Sequence, residues 1–186
     1  MTVLNGEMYL LRDKERNQVE VYDIVNYRLQ RRLTVPNYHG VIDMTSCQYY
    51  LFVYIADPVV KCIHRLDSQG KAATQWPVND EPTGLSVNTA HNLLVTCHRV
   101  REIKEFSSHG DLLRTIILPD DVINPSHAIQ LTSGNFVVCH GGYGDPVNDV
   151  CMLTADGRQI VHSHGGQEGS STGHYDVPSY LAVDSS

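Results

Sequence analysis

The side chains able to do chemistry in this chain are chiefly ten histidines and five cysteines, and their spacing decides what that chemistry can be. His162 and His164 stand two apart, so on a strand they point to one face; with His174 they come nearest to a zinc-binding set. No carboxylate or thiol stands where it would complete that set. The pair reads as a solvated outer strand running into a glycine-rich loop. Cys97-His98 and Cys139-His140 put a thiol beside an imidazole. Adjacent residues on a strand face opposite ways, however, so the base cannot reach its neighbour's sulfur. Gly169-Ser170-Ser171-Thr172-Gly173 spells the hydrolase elbow pattern, which works only on a turn from strand to helix. Its flanks, 165–168 and 174–178, offer no helix, and it reads as a loop between repeats. The chain is therefore expected to hold no catalytic residue, no cofactor and no metal, and not to be an enzyme.

Cations gather in two places on an acidic background. Arg28, Arg31 and Arg32, with Tyr27 and Tyr38 nearby, combine charge with stacking surface, as a single-stranded RNA site would. A charged outer edge strand that blocks edge-to-edge pairing would look the same. His98, Arg99 and Arg101, followed by Lys104, form the second cluster. The net charge of −7 weighs against non-specific nucleic-acid binding, and DNA is not an expected partner. Tyr143, Asp145 and Asn148 lie on a segment comparable with that of His98 and Arg101. If both segments project from one face, they form the expected contact surface for a protein partner.

At 186 residues, 41% hydrophobic and 19% charged, the chain has enough material for one domain with a real core. No run approaches the ~20 apolar residues of a membrane span, and the N-terminus lacks the pattern of a secretory signal. The odd cysteine count, scattered over 47, 62, 97, 139 and 151 without a CxxC pair, suggests reduced, buried thiols in the cytoplasm.

The elements that must position these residues recur. An opener of the type Pro-x-(Gly/His)-apolar appears as Pro82-Thr83-Gly84-Leu85, Pro125-Ser126-His127-Ala128 and Pro178-Ser179-Tyr180-Leu181, with His39-Gly40-Val41 as a looser copy. A (Ser/Ala)-x-Gly turn recurs as Ser68-Gln69-Gly70, Ser108-His109-Gly110 and Ala155-Asp156-Gly157. Gly40 and Gly84 are 44 apart, Gly84 and His127 are 43 apart, and His127 to Tyr180 is a longer 53. A period of roughly 40–50 residues made of short strands is the signature of propeller blades. The best-defined unit predicts strands at 84–87, 92–97, 102–106 and 112–118. The units on either side predict 41–44, 50–56, 60–66 and one ending near 76, then 128–131, 135–139, 149–153 and 158–162. The second strands, such as Tyr50-Leu51-Phe52-Val53-Tyr54-Ile55, are continuous apolar runs, which implies burial on both faces. The first repeat, 1–36, is expected to lack its first strand, and 180–184 to supply a first strand alone. The expectation is an all-β, propeller-like array of four-stranded antiparallel blades, an incomplete ring, with a four-bladed ring closed by the tail as the alternative. Its approximate units are 1–36, 39–78, 82–118, 125–164 and 175–186, in a single domain 1–186.

Tyr54-Ile55-Ala56-Asp57, followed by Lys61-Cys62-Ile63-His64-Arg65-Leu66, resembles the "tyr-val-ala-asp … arg-ile" pattern of NHL repeats, and Pro82 to Val87 resembles their opener. NHL repeats are the blades of six-bladed propellers found in tripartite-motif proteins and several extracellular enzymes. The pattern departs at Thr96-Cys97 and Cys139-His140, where Ala-Asp would fall. The resemblance implies a protein-interaction module, the substrate-recognition part of a tripartite-motif ubiquitin ligase, with any ligase activity belonging to a longer protein. It also admits an RNA-binding propeller, and an enzyme with a metal at the channel mouth.

Overall fold

The structure is a computed structural model and describes residues 1–11, 18–37, 39–40, 42–69, 74–145, 147–166, 175 and 177–182. Sixteen strands and no helix occur among them, so no helix is long and apolar enough to cross a membrane. The strands form four antiparallel sheets, each taking four consecutive strands in sequence order. The first holds β1 (Thr2–Leu4), β2 (Glu7–Leu11), β3 (Gln18–Asp23) and β4 (Leu29–Thr34). The second holds β5 (Asp43–Cys47), β6 (Phe52–Asp57), β7 (Cys62–Asp67) and β8 (Thr74–Pro77). The third holds β9 (Pro82–Val87), β10 (Leu93–Cys97), β11 (Glu102–Phe106) and β12 (Leu112–Ile117). The fourth holds β13 (His127–Gln130), β14 (Phe136–His140), β15 (Asn148–Leu153) and β16 (Ile160–Gly166). These are the expected four-stranded blades. The first sheet corrects the expectation in one respect: its first strand is present, as Thr2–Leu4 paired with Glu7–Leu11 through an Asn5-Gly6 turn. At the other end, 177–182 form no strand, and 183–186 lie outside the described residues, as do Tyr38, Val41, Gly70, the Gly169–Gly173 motif and His174.

The chain divides into two compact units, Met1–Leu85 and Ser86–Ser186. In the first unit Leu4, Tyr9, Val19, Val21 and Leu33 of the first sheet share one apolar core with Met44, Val53, Ile55 and Leu66 of the second. In the second unit Leu94, Ile103 and Ile116 pack with Ala128, Phe136, Val138, Cys151 and Leu153, closed by Leu118 and Val122. The second strands are buried almost throughout: all of β10, and all of β6 but its first residue. Continuous apolar runs end up in the middle of a sheet because both of its faces are covered.

Hydrogen bonds between neighbouring sheets repeat the sequence period. In the first unit Thr2 Oγ1 and Ser46 Oγ are 2.8 Å apart, and Leu85 N–H donates to Asp43 Oδ2 at 2.7 Å. In the second, Ser86 Oγ donates to Ala128 O at 2.7 Å and Asn88 Nδ2 to Gln130 Oε1 at 3.1 Å. Each bond joins residues 42 or 44 apart, so what repeats along the chain lies side by side in space.

Candidate functional site

The turns between second and third strands carry the expected contact residues, and β6–β7 shows how such a turn is built. Asp57 is fully buried; its Oδ1 accepts the N–H of Val59 at 3.0 Å and of Val60 at 3.3 Å, and its Oδ2 accepts that of His39 at 2.7 Å. A carboxylate at this position satisfies turn amides that would otherwise be orphaned. Strand register equates it with two other residues: Asp57 pairs with Cys62, Cys97 with Glu102, and His140 with Asp149. Cys97 keeps a four-residue turn, 98–101. At His140 the segment before Asp149 lengthens to 141–148, and the polar chemistry changes.

His140 is 2% exposed, and neither ring nitrogen has a hydrogen-bond partner. Burial pulls its pKa below the usual imidazole range, with Asp149 pulling the other way, so the ring is neutral near pH 7. Asn148 is fully buried; its amide donates to Gly142 O at 3.4 Å while its Oδ1 has no partner. Asp149 accepts the Val150 N–H at 2.7 Å and the Ser163 hydroxyl. Gly141 (φ +102°) closes this neck where a Cβ would strike Val147 O and Asn148. Burial pushes the thiols of Cys139 and Cys151 up to about 12, so they are protonated and poor nucleophiles.

Above the neck, the connector 119–124 ties two turns together. Leu118 N–H donates to Arg101 O at 3.0 Å, and the Arg101 guanidinium returns to Asp120 Oδ1 at 2.8 Å and Asp120 O at 3.2 Å. Further along, Gly141 N–H donates to Ile123 O at 2.9 Å and Asn124 Nδ2 to Asp145 Oδ2 at 2.8 Å. Arg101 and Asp145 thus belong to one hydrogen-bonded rim. Tyr143 stands out from it at 83% exposure, Arg99 and Val100 are exposed beside it, and His98 is half-buried. Asn148 is buried beneath the rim, because its side chain is consumed in closing the loop neck; it shapes the loop and offers no contact surface.

The three arginines of the other cluster belong to the first unit. Arg31 pairs with Glu7 and donates to Tyr9 Oη at 3.3 Å and to Ser68 O at 2.6 Å. Arg32 pairs with Glu20 at 3.0 Å, and Arg28 is exposed. Two of the three guanidiniums therefore hold the fold together. His162 and His164 lie on β16 with exposed side chains, and among the described residues no three His, Cys, Asp or Glu groups are arranged to hold a metal ion.

One cluster lies outside the candidate site residues singled out from the sequence. Cys62 Sγ lies 3.4 Å from His64 Nε2, and Asp57 Oδ2 lies 3.6 Å from the same nitrogen, beside a cavity of about 130 Å³ lined by Pro36, Asn37, His64, Thr74 and Gln75. The i, i+2 spacing of Cys62 and His64 was the available signal. Burial, reinforced by Asp57, pushes the Cys62 thiol to about 11, and burial holds His64 below its usual range against Asp57. Thiol and carboxylate meet one ring nitrogen, whereas activating a nucleophile needs them on opposite nitrogens.

No family model and no curated protein sequence matches the chain. Solved structures do. Kuenenia stuttgartiensis hydrazine synthase aligns over 87% of this chain and 47% of its own, with a TM-score of 0.71 and 16% identity. A streptogramin B lyase aligns over 88% and 52%, with 0.66 and 14%, and the WD40 repeats of RRP9 over 80% and 44%, with 0.64 and 15%. The chain spans about half the length of the structures it matches, and at these identities the likeness establishes the β-propeller fold and nothing finer. One expectation is corrected by it. The expectation of no enzymatic role rests on the absence of a catalytic motif, yet a lyase and a hydrazine synthase share this architecture, and propeller blades alone give no ground for that exclusion.

Proposed function

We propose that this chain is an NHL-type propeller that binds a protein partner through the rim formed by 98–101, 119–124 and 141–145. The NHL assignment is supported by Asp57, whose three main-chain bonds give the Tyr-x-Ala-Asp pattern its physical reason. The observation that carries the binding reading is the connector: it fixes two turns of adjacent blades in one hydrogen-bonded frame and leaves Tyr143 projecting. An exposed aromatic on a pre-organised loop is a favourable anchor, since little entropy is lost when it is covered. A cytoplasmic setting is consistent with five cysteines that are all free and all buried. RNA binding draws less support, because Arg31 and Arg32 are already engaged in ion pairs.

The test is photo-crosslinking in cells with a benzophenone side chain at Tyr143, and for comparison at Ser133 in the turn at the other end of the same sheet. Protein adducts formed at Tyr143 and absent at Ser133 are expected. Nuclease-sensitive adducts would replace this reading with RNA recognition, and equal labelling at both positions would remove the rim.

A further inference from the structure

The outer edge of the third sheet differs from those of the first two. A strand edge exposes unpaired amides, and proteins guard such edges with charge, proline or brevity. β4 carries Arg31 and Arg32, and β8 has four residues and ends at Pro77. β16 of the fourth sheet has no lysine, arginine or proline, and β12, Leu-Leu-Arg-Thr-Ile-Ile, has one cation and no proline. Its one cation, Arg114, is drawn onto the sheet face, where it pairs with Glu105 at 2.5 Å and lies over the Phe136 ring. Leu112, Leu113 and Ile117 are 54%, 52% and 68% exposed.

β12 is the last strand of its sheet, and the bond from Leu118 N–H to Arg101 O sets its parity. Residues 118 and 116 direct their main-chain groups inward to β11, so Thr115 and Ile117 direct theirs outward. Those two residues line a groove of about 380 Å³ with Leu118, Pro119, Asp156 and Arg158. Asp156 is occupied by the Thr154 hydroxyl at 2.5 Å and the Arg158 N–H at 3.1 Å. Among the described residues the Arg158 guanidinium makes no ion pair within 4 Å, although its charge acts on Asp156. The groove also runs into Pro119, where the connector of the proposed rim begins.

We infer that β12 accepts an extended segment of the partner protein as a fifth strand, with apolar side chains at alternate positions and a carboxylate opposite Arg158. Two outward residues offer two N–H donors and two carbonyl acceptors, the exposed leucines and Ile117 supply apolar contact, and Arg158 supplies the complementary charge. This deepens the reading of the chain as a protein-binding module, and adds a contact that the rim does not require.

The experiment uses the full chain and a soluble octapeptide that alternates valine and threonine with one aspartate, followed by amide hydrogen exchange. At a peptide concentration ten times Kd, the amides of Thr115 and Ile117 are expected to slow about tenfold. Thr115→Pro removes an outward donor while keeping the inward ladder, so it should abolish this protection without unfolding the sheet. Arg158→Glu should weaken binding of the aspartate peptide and not of its asparagine analogue. Peptide binding without protection at these amides overturns the proposal. So does a chain that self-associates through this edge, with dimerisation abolished by Thr115→Pro and no peptide uptake. Loss of the edge while Tyr143 adducts persist would leave the rim standing.

Discussion

Two residues at equivalent positions show what a single side chain decides. Asp57 serves three main-chain donors from a fully buried site, so truncating it strands all three. Asp57→Ala should cost about 3 kcal/mol in urea unfolding, and Asp57→Asn about half of that, since one carbonyl oxygen still accepts. His140 is the opposite case. It is buried with two unsatisfied nitrogens, so an apolar ring of similar shape removes a penalty and breaks no bond. His140→Phe is expected to leave the urea midpoint at pH 7 unchanged or raise it, with a gain of up to about 1 kcal/mol. A loss above about 2 kcal/mol would show the imidazole to be held by a hydrogen bond after all.

At the scale of elements, the sheets are punctuated by turns whose glycines differ in kind. Gly6 (φ +74°) has open space where a side chain would go, while at Gly157 (φ +76°) a Cβ would collide with Ile116 of β12. Gly6→Ala should therefore cost about 1 kcal/mol, the backbone conformation alone. Gly157→Ala should cost about 3 kcal/mol, because Ile116 must also move within a packed core. Thermal melts of the two variants measure the difference. Strands were the most legible feature of the sequence, for reasons these turns make plain. Continuous apolar runs such as Leu93-Leu94-Val95 need cover on both faces, and glycine marks several of the hairpin turns, at Gly6, Gly110, Gly134 and Gly157. The missed strand, Thr2–Leu4, is only three residues long, though Asn5-Gly6 after it is a strong hairpin signal. The rim was legible as a position, through Tyr143 and Arg101, and not as a structure. Its bonds run from the connector, whose residues Asp120 and Asn124 show no periodicity to read. The burial of Asn148 follows from the length of the loop it closes.

For the molecule as a whole, buried titratable groups set the pH range over which the fold holds. His64 and His140 titrate below their ordinary value of 6.5 when folded, because burial disfavours the cation. Unfolded chains bind those protons first, so their contribution is complete above about pH 6.5 and is lost as pH falls below it. Glu7 is held below 4.5 by Arg31. Glu105 is pushed up by burial yet held below 4.5 by Asn92, Arg114 and Asn88. Their contribution is complete above about pH 4.5 and disappears at lower pH. On the alkaline side Cys62, Cys139 and Cys151 hold their protons to about 11, 12 and 12 against an ordinary 9, so stability declines as pH rises past 9. Urea unfolding followed across pH should therefore show a plateau from about pH 7 to 9 and two acid steps, the upper beginning near about pH 6.5 and the lower near about pH 4.5. His64→Phe combined with His140→Phe should erase the upper acid step and leave the lower one, since Glu7 and Glu105 are untouched. An upper step that survives in the double variant would assign it to other groups, and folding would then leave the proton affinity of these two imidazoles unchanged.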